Sequence, residues 1–245
     1  MRLPGLMPLS LNDWLVQDEV FAAQMAYRDH LVAAVKDEVI ALQPGAEDVA
    51  EELLAELLMF LESQPGYEVS PGHVRRPDGV QVELAGAPAL ETCARLVQED
   101  LLLLRKPAET HDLVGGVLCF PALWRLREKT GRTLFDVHRP VAPYTSDLSD
   151  RVERVLSVLR TDQVLMRANA LIYDCPDLHQ PASEGAPKAL TPGTPRYVRV
   201  ERQTFRRLPK TRAVVFAIHT YLVAAEQLST EDHAVLAEIR PDLLT

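Results

Sequence analysis

Cysteine is scarce in this sequence, and the few present lie far apart. Cys93, Cys119 and Cys175 are its three cysteines. No two stand at zinc-ligand spacing, and there is no C-x-x-C-H for covalent haem attachment. A disulfide framework is excluded on the same count. Long hydrophobic runs are missing too. No stretch of about 18 apolar residues occurs, so no helix is expected to span a membrane. The opening residues, MRLPGLMPLSLNDW, lack the continuous apolar core of a signal peptide, so the expected compartment is the cytoplasm. Positive charge is in deficit as well. A formal net charge of −9 argues against a general nucleic-acid binder. The phosphate-binding glycine patterns, the G-x-S-x-G elbow and H-E-x-x-H are all absent, which removes the commonest nucleotide, hydrolase and zinc-protease readings.

What remains is an ordinary globular composition, 47% hydrophobic and 25% charged over 245 residues. That length suits one large domain carrying an elaboration. Roughly 70% of the unfolded surface can be buried at this size, so no staple is needed.

Periodicity organises the chain. Phe21, Met25, Val32, Val35, Val39 and Leu42 form a helical stripe, interrupted by Arg28, that should end before Pro44-Gly45. A second helix is expected from Glu47 to Leu61. Tyr67 to Glu83 reads as a hairpin, with Asp78-Gly79 as its turn. Pro88 opens a third expected helix, with Leu90, Ala94, Val97, Leu101 and Leu104 on one face. Asp112 to Phe120 reads as a buried strand and Ser146 to Arg160 as an amphipathic helix. Three strands follow, 163–173, 196–205 and 212–222, with the loop PASEGAPKALTPGTP after the first. A short helix covers 229–239. Segregated runs of strands and helices predict an α+β fold with an antiparallel sheet.

Among seven histidines no two pair at helical ligand spacing. His138 has the best local case for a metal, because Pro140 restricts Arg139 and stiffens the backbone beside it. A packed corner histidine is the plain alternative. Cys175-Pro176 is a rival haem ligand, disfavoured by Asp174 and Asp177, which oppose thiolate formation. The segment RYVRVERQTFRRLPKTR (196–212) carries a dense basic run in an acidic protein. As a strand it puts Arg199, Glu201, Gln203 and Arg207 on one face and Arg196, Arg202 and Arg206 on the other. It is either a charged edge strand or a set of grips for carboxylates such as haem propionates.

Four blocks carry a family resemblance: LVQEDLLLL (96–104), GGVLCFPALWRLREKTGRTLFDVHRPV (115–141), RAN (167–169) and RVERQTFRRLPKTRAVVFAIHTYL (199–222). In this order they resemble the alpha subunit of haem-dependent oxidative N-demethylase. The resemblance runs from about Leu9 to Leu222. It implies a PAS-like antiparallel sheet over the whole chain, with residues 1–64 as a helical elaboration, binding haem b non-covalently. His138 would be the iron ligand, since in haem-binding PAS proteins that histidine precedes the last three strands. Arg167, Arg202, Arg206 and Arg207 would meet the cofactor, and Glu201 would contact a secondary ammonium. The implied reaction takes a dimethylamine-like amine and O2 and releases formaldehyde. Its electrons would come from NADPH through a separate flavin and iron–sulfur reductase. One departure stands out: where the family pattern reads R-x-N-W, this chain has Ala170. The competing expectation is a haem-based gas or redox sensor without catalysis. A third is a haemless interaction module.

Overall fold

The computed structural model describes residues 5–139, 145–186 and 190–239. Its centre is a seven-stranded, wholly antiparallel sheet of β1 (Met7–Leu9), β2 (Ile40–Leu42), β6 (Asp100–Arg105), β7 (Asp112–Val117), β8 (Val164–Tyr173), β9 (Tyr197–Arg207) and β10 (Val214–Ala224). Their spatial order is β1-β8-β9-β10-β6-β7-β2. A small second sheet holds β3 (Glu68–Val69), β4 (His73–Arg75) and β5 (Gln81–Glu83). The fold is α+β.

Helices cover both faces of the large sheet. On one lie α1 (Phe21–Val39), α2 (Glu47–Leu61) and α3 (Ala89–Ala94), sealing a core that includes Val32, Leu53, Leu57, Leu101, Leu103, Val215 and Ala217. On the other lie α4 (Leu126–Lys129), α5 (Leu134–His138) and α6 (Ser146–Val158), over Leu102, Leu104, Leu113, Val214 and Ile218. Two threonines start α5 and α6. Thr133 Oγ1 accepts from Asp136 N at 3.2 Å and Thr145 Oγ1 from Leu148 N at 3.3 Å, each satisfying a donor the first turn leaves open. A final helix, α7 (Thr230–Ile239), closes the described chain.

Two sequence expectations are corrected here. The first helix stops at Val39 rather than running to Leu42. Ile40, Ala41 and Leu42 instead pair with Val117, Gly116 and Gly115. Space decides this, because a Cβ on Gly115 would meet Ala41 O at 2.7 Å. Only a glycine lets the two backbones come so close. The expected long helix from Pro88 is also two elements, since α3 ends at Ala94 and Asp100–Arg105 is a strand. Four successive leucines satisfy a helical stripe and a doubly buried strand equally well. The sheet wins because Leu101 and Leu103 fill one core while Leu102 and Leu104 fill the other. The hairpin at 67–83 exists, but it belongs to the small sheet. The large sheet draws its own hairpin from β6 and β7.

Arg28 does not break its helical stripe. It is fully buried, with NH1 2.7 Å from Asp100 Oδ1 and Nε donating to Ala94 O at 3.2 Å. Asp100 also accepts from Cys119 N at 2.7 Å and Phe120 N at 2.9 Å. The buried pair is tolerated because the Arg28 charge faces Asp100 and both Asp100 oxygens also accept backbone N–H groups.

Candidate functional site

The side chains that could do chemistry gather on the α4–α6 face of the sheet. Register places them. Arg167 is opposite Gln203, Asn169 opposite Glu201 and Leu171 opposite Arg199 across β8 and β9. On β10, Ile218 faces Gln203 and Thr220 faces Glu201. Cross-strand partners share a face, and Phe205, Leu165 and Phe216 of this set pack with Leu134 and Val137 of α5. A polar square is thus set among apolar residues on the face that α4, α5 and α6 cover, with Arg167 near enough to His138 to act on its charge.

His138 is mostly withdrawn from solvent at the last turn of α5. Its Nδ1 meets Leu134 O at 2.9 Å. A proton on Nδ1 donated to that carbonyl fixes the tautomer and puts the ring's lone pair on Nε2, the arrangement a metal-ligating histidine uses. Burial holds its pKa below the ordinary histidine value; the Leu134 hydrogen bond opposes this, and the charges of Lys129 and Arg167 add to the lowering. The net lowering favours the neutral imidazole. Lys129 closes this corner from beneath, its Nζ donating to Val137 O at 2.6 Å and lying 5.4 Å from the Trp124 ring centroid.

Arg167 is the second distinctive group. Its Nε is buried and has no hydrogen-bond partner among the described residues. Burial pulls its pKa below the ordinary guanidinium value, and Glu201 partly restores it. A buried N–H without an acceptor costs free energy, so an acceptor oxygen of a ligand would be welcome at this Nε. Glu201 itself is buried and held at both oxygens. Arg199 Nε reaches Oε1 at 3.2 Å, and Gln203 Nε2 donates to Oε2 at 2.9 Å.

The remaining expected arginines are employed elsewhere. Arg202 and Arg206 point to the opposite face of the sheet. Arg202 donates to Trp14 O at 3.1 Å and to Asp13 O. Arg206 pairs with Glu56 and lies 4.3 Å over the Trp14 ring. Both therefore fasten the N-terminal segment, and the structure does not bring them to His138. Arg207 is on the His138 face, but its guanidinium donates to Leu159 O at 2.7 Å, to Leu156 O and to Arg212 O, tying the end of α6 to the turn before β10. Of the four, only Arg167 stands beside His138 and Glu201. Cys175 lies in the loop after β8, near Tyr27 and Asp177, away from that group.

A haem would ask for an imidazole with a fixed tautomer, a cation for its propionates and apolar walls. His138, Arg167 and the Phe205–Phe216 stack, with ring centroids 4.7 Å apart, match that list. A family model described as "Haem-dependent oxidative N-demethylase, alpha subunit-like" matches residues 5–242. The chain belongs to that family. In this member of the haem-dependent oxidative N-demethylase alpha-subunit-like family, Ala170 stands where the resemblance leads us to expect an aromatic. Ala170 pairs with Val200, which puts it on the sheet face away from Arg167 and Glu201.

Sequence reasoning did not assign roles to Asn169, Gln203 or Arg199. The strand parity of 199, 201 and 203 was the available signal. What it lacked was which face the helices would cover.

Proposed function

We propose that this chain is the haem-binding, oxygen-activating component of an oxidative N-demethylase for a small secondary amine. Haem b, bound non-covalently, would supply oxygen activation and the one-electron chemistry that amino-acid side chains lack. His138 would hold the iron through Nε2, Arg167 would meet a propionate, and Glu201 would receive the ammonium of the substrate. The observation that carries this reading is the convergence of three side chains on one side of the sheet: an imidazole of fixed tautomer, an arginine whose buried Nε has no hydrogen-bond partner, and a carboxylate clamped at both oxygens.

Each residue's task follows from its surroundings. The Leu134 carbonyl aims the His138 ring and makes Nε2 the donor atom. The apolar wall of Leu165, Phe205 and Phe216 excludes water from the region above the sheet. Glu201, aimed by its two neighbours, offers a directional acceptor for an N–H of the amine. The overall change balances as amine, O2, two protons and two electrons giving the demethylated amine, formaldehyde and water. We take the electrons to come from NADPH through a separate flavin and iron–sulfur reductase, in keeping with a family named for an alpha subunit. A PAS-like reading is supported by the order β7-β6-β10-β9-β8, with α4, α5 and α6 inserted between its hairpin and its last three strands.

Protein produced with ample haem should show an intense Soret band that His138→Ala abolishes or shifts. A wild-type protein that takes up no haem overturns the assignment. With haem bound and an electron donor supplied, secondary amines should yield formaldehyde, and Glu201→Gln should weaken the amine-induced change in the Soret band about tenfold or more. Haem binding with no response to any amine would instead favour the sensor.

A further inference from the structure

Arg199 is one of the largest fully buried side chains of the protein, and the haem and amine roles above use only its contact with Glu201. Its guanidinium addresses four separate parts of the chain. Nε reaches Glu201 Oε1 at 3.2 Å on its own strand. NH2 reaches Thr220 Oγ1 at 3.3 Å on β10 and also Phe120 O, just beyond β7. NH1 donates to Leu178 O at 3.1 Å, in the loop after β8. The Tyr173 ring lies 5.9 Å from its Cζ.

The two loops it reaches are already fastened to each other. Ala122 and Gln180 form an isolated bridge, Leu123 N donates to Gln180 O at 3.0 Å, and His179 Nδ1 meets Cys119 O at 2.7 Å. Leu123 holds a left-handed φ of 59°, which a leucine avoids without such constraint. The zipped pair lines a cleft with Leu118, Trp124, Leu126 and Pro181. Through Trp124 and Lys129 that cleft adjoins the end of α5.

We propose that Arg199 is a positioning residue that sets the aim of Glu201 and couples it to closure of the zipped loops 118–124 and 175–181. The inference rests on the reading of Glu201 as the amine-contacting carboxylate. One guanidinium serves both ends: the same planar fork that fixes Oε1 also satisfies the two loop carbonyls. Rotation of the fork to release Glu201 breaks the loop contacts, and lifting of the loops frees the fork. Lysine keeps the charge but lacks the fork, so it cannot hold all these acceptors together.

Two measurements on the full chain test this, the first independent of haem. In Arg199→Met, hydrogen–deuterium exchange should accelerate about tenfold or more in 118–124 and 175–181, and not in α2, because buried carbonyls lose their donor. Unchanged exchange in those loops overturns the coupling. In the haem-loaded protein, Arg199→Met should weaken the amine-induced Soret response about tenfold, with Arg199→Lys in between. The loss should vanish when Glu201→Gln is already present, since the two act as one unit. A loss that simply adds to that of Glu201→Gln removes Arg199 from the site while leaving Glu201 in it. A Glu201→Gln variant with normal amine response removes Glu201 itself. Should Arg199→Met not fold, Gln203→Leu, which strips the other oxygen's donor, runs the same amine cycle, and additivity there counts equally against the clamp.

Discussion

At the scale of single residues, the protein sets its inward-facing charges in two different ways. Arg167 is half-buried beside a carboxylate with its Nε unpartnered, whereas His219 is fully buried between two acids. His219 Nε2 is 3.1 Å from Asp18 Oδ2, and Nδ1 is at ion-pair distance, 3.3 Å, from Glu99 Oε1. Arg202 is its cross-strand neighbour, and the Tyr221 ring lies 4.6 Å away. Burial alone would depress its pKa, but hydrogen bonds and charge from Glu99 and Asp18 raise it above the ordinary 6.5. The imidazolium therefore favours the folded chain. Its stabilisation is complete below the unfolded value of about 6.5 and is lost as pH rises through the higher folded value. Thermal unfolding midpoints across pH should show this loss in the wild type and a flatter profile in His219→Gln. Parallel profiles would exclude His219 as the source. Because Asp18 N also donates to Gln98 Oε1 at 3.2 Å and Val16 N to Glu99 Oε1 at 2.9 Å, the segment that loosens first at high pH should be the one preceding α1.

At the scale of elements, the crowded pairing of β2 with β7 makes a sharp prediction. Gly115→Ala would drive a methyl group into Ala41 O and the Leu42 side chain. Overpacking of this kind costs about 1–3 kcal/mol, readable as a lowered urea midpoint with unchanged slope. The same pairing explains where the sequence was legible and where it was not. The last three strands, α2 and α6 could be read directly, because their apolar positions match one period and their ends carry breakers or caps. Ile40–Leu42 could not, since three residues continuing a helical stripe become a strand only when two glycines a long way along the chain receive them. Asp100–Arg105 failed for a related reason: a run of leucines has no period, so its partners on both faces choose its conformation. In the site, the alternation of Arg199, Glu201 and Gln203 against Arg202 and Arg206 was legible from parity. The covered face was not, because both faces turn out to be covered, and the N-terminal segment takes the arginines that parity sets opposite Glu201.

At the scale of the whole molecule, Arg28 and Asp100 join α1, the start of β6 and the backbone leading out of β7. The pair is a hub rather than a surface ornament. Removing the cation leaves Asp100 buried with only two backbone donors. Arg28→Ala should therefore cost about 3–5 kcal/mol in urea unfolding, well above a typical surface arginine. The loss should appear in one transition, because the helices on one face and the hairpin of the sheet would be weakened together. Two separate transitions would show that the helical N-terminal part and the sheet unfold independently.

Strand β9 carries a last consequence. Its odd positions, Arg199 to Arg207, address His138's side of the sheet, and its even positions, Arg202 and Arg206, hold Trp14, Asp13 and Glu56 on the far side. The strand is a two-sided key whose teeth cannot be cut independently. Inserting or deleting one residue between Arg199 and Arg207 would exchange the two faces over part of its length. Arg202 would then be offered to the apolar pocket and Glu201 to the ring of Trp14. Changes of length should be far more damaging here than any single substitution.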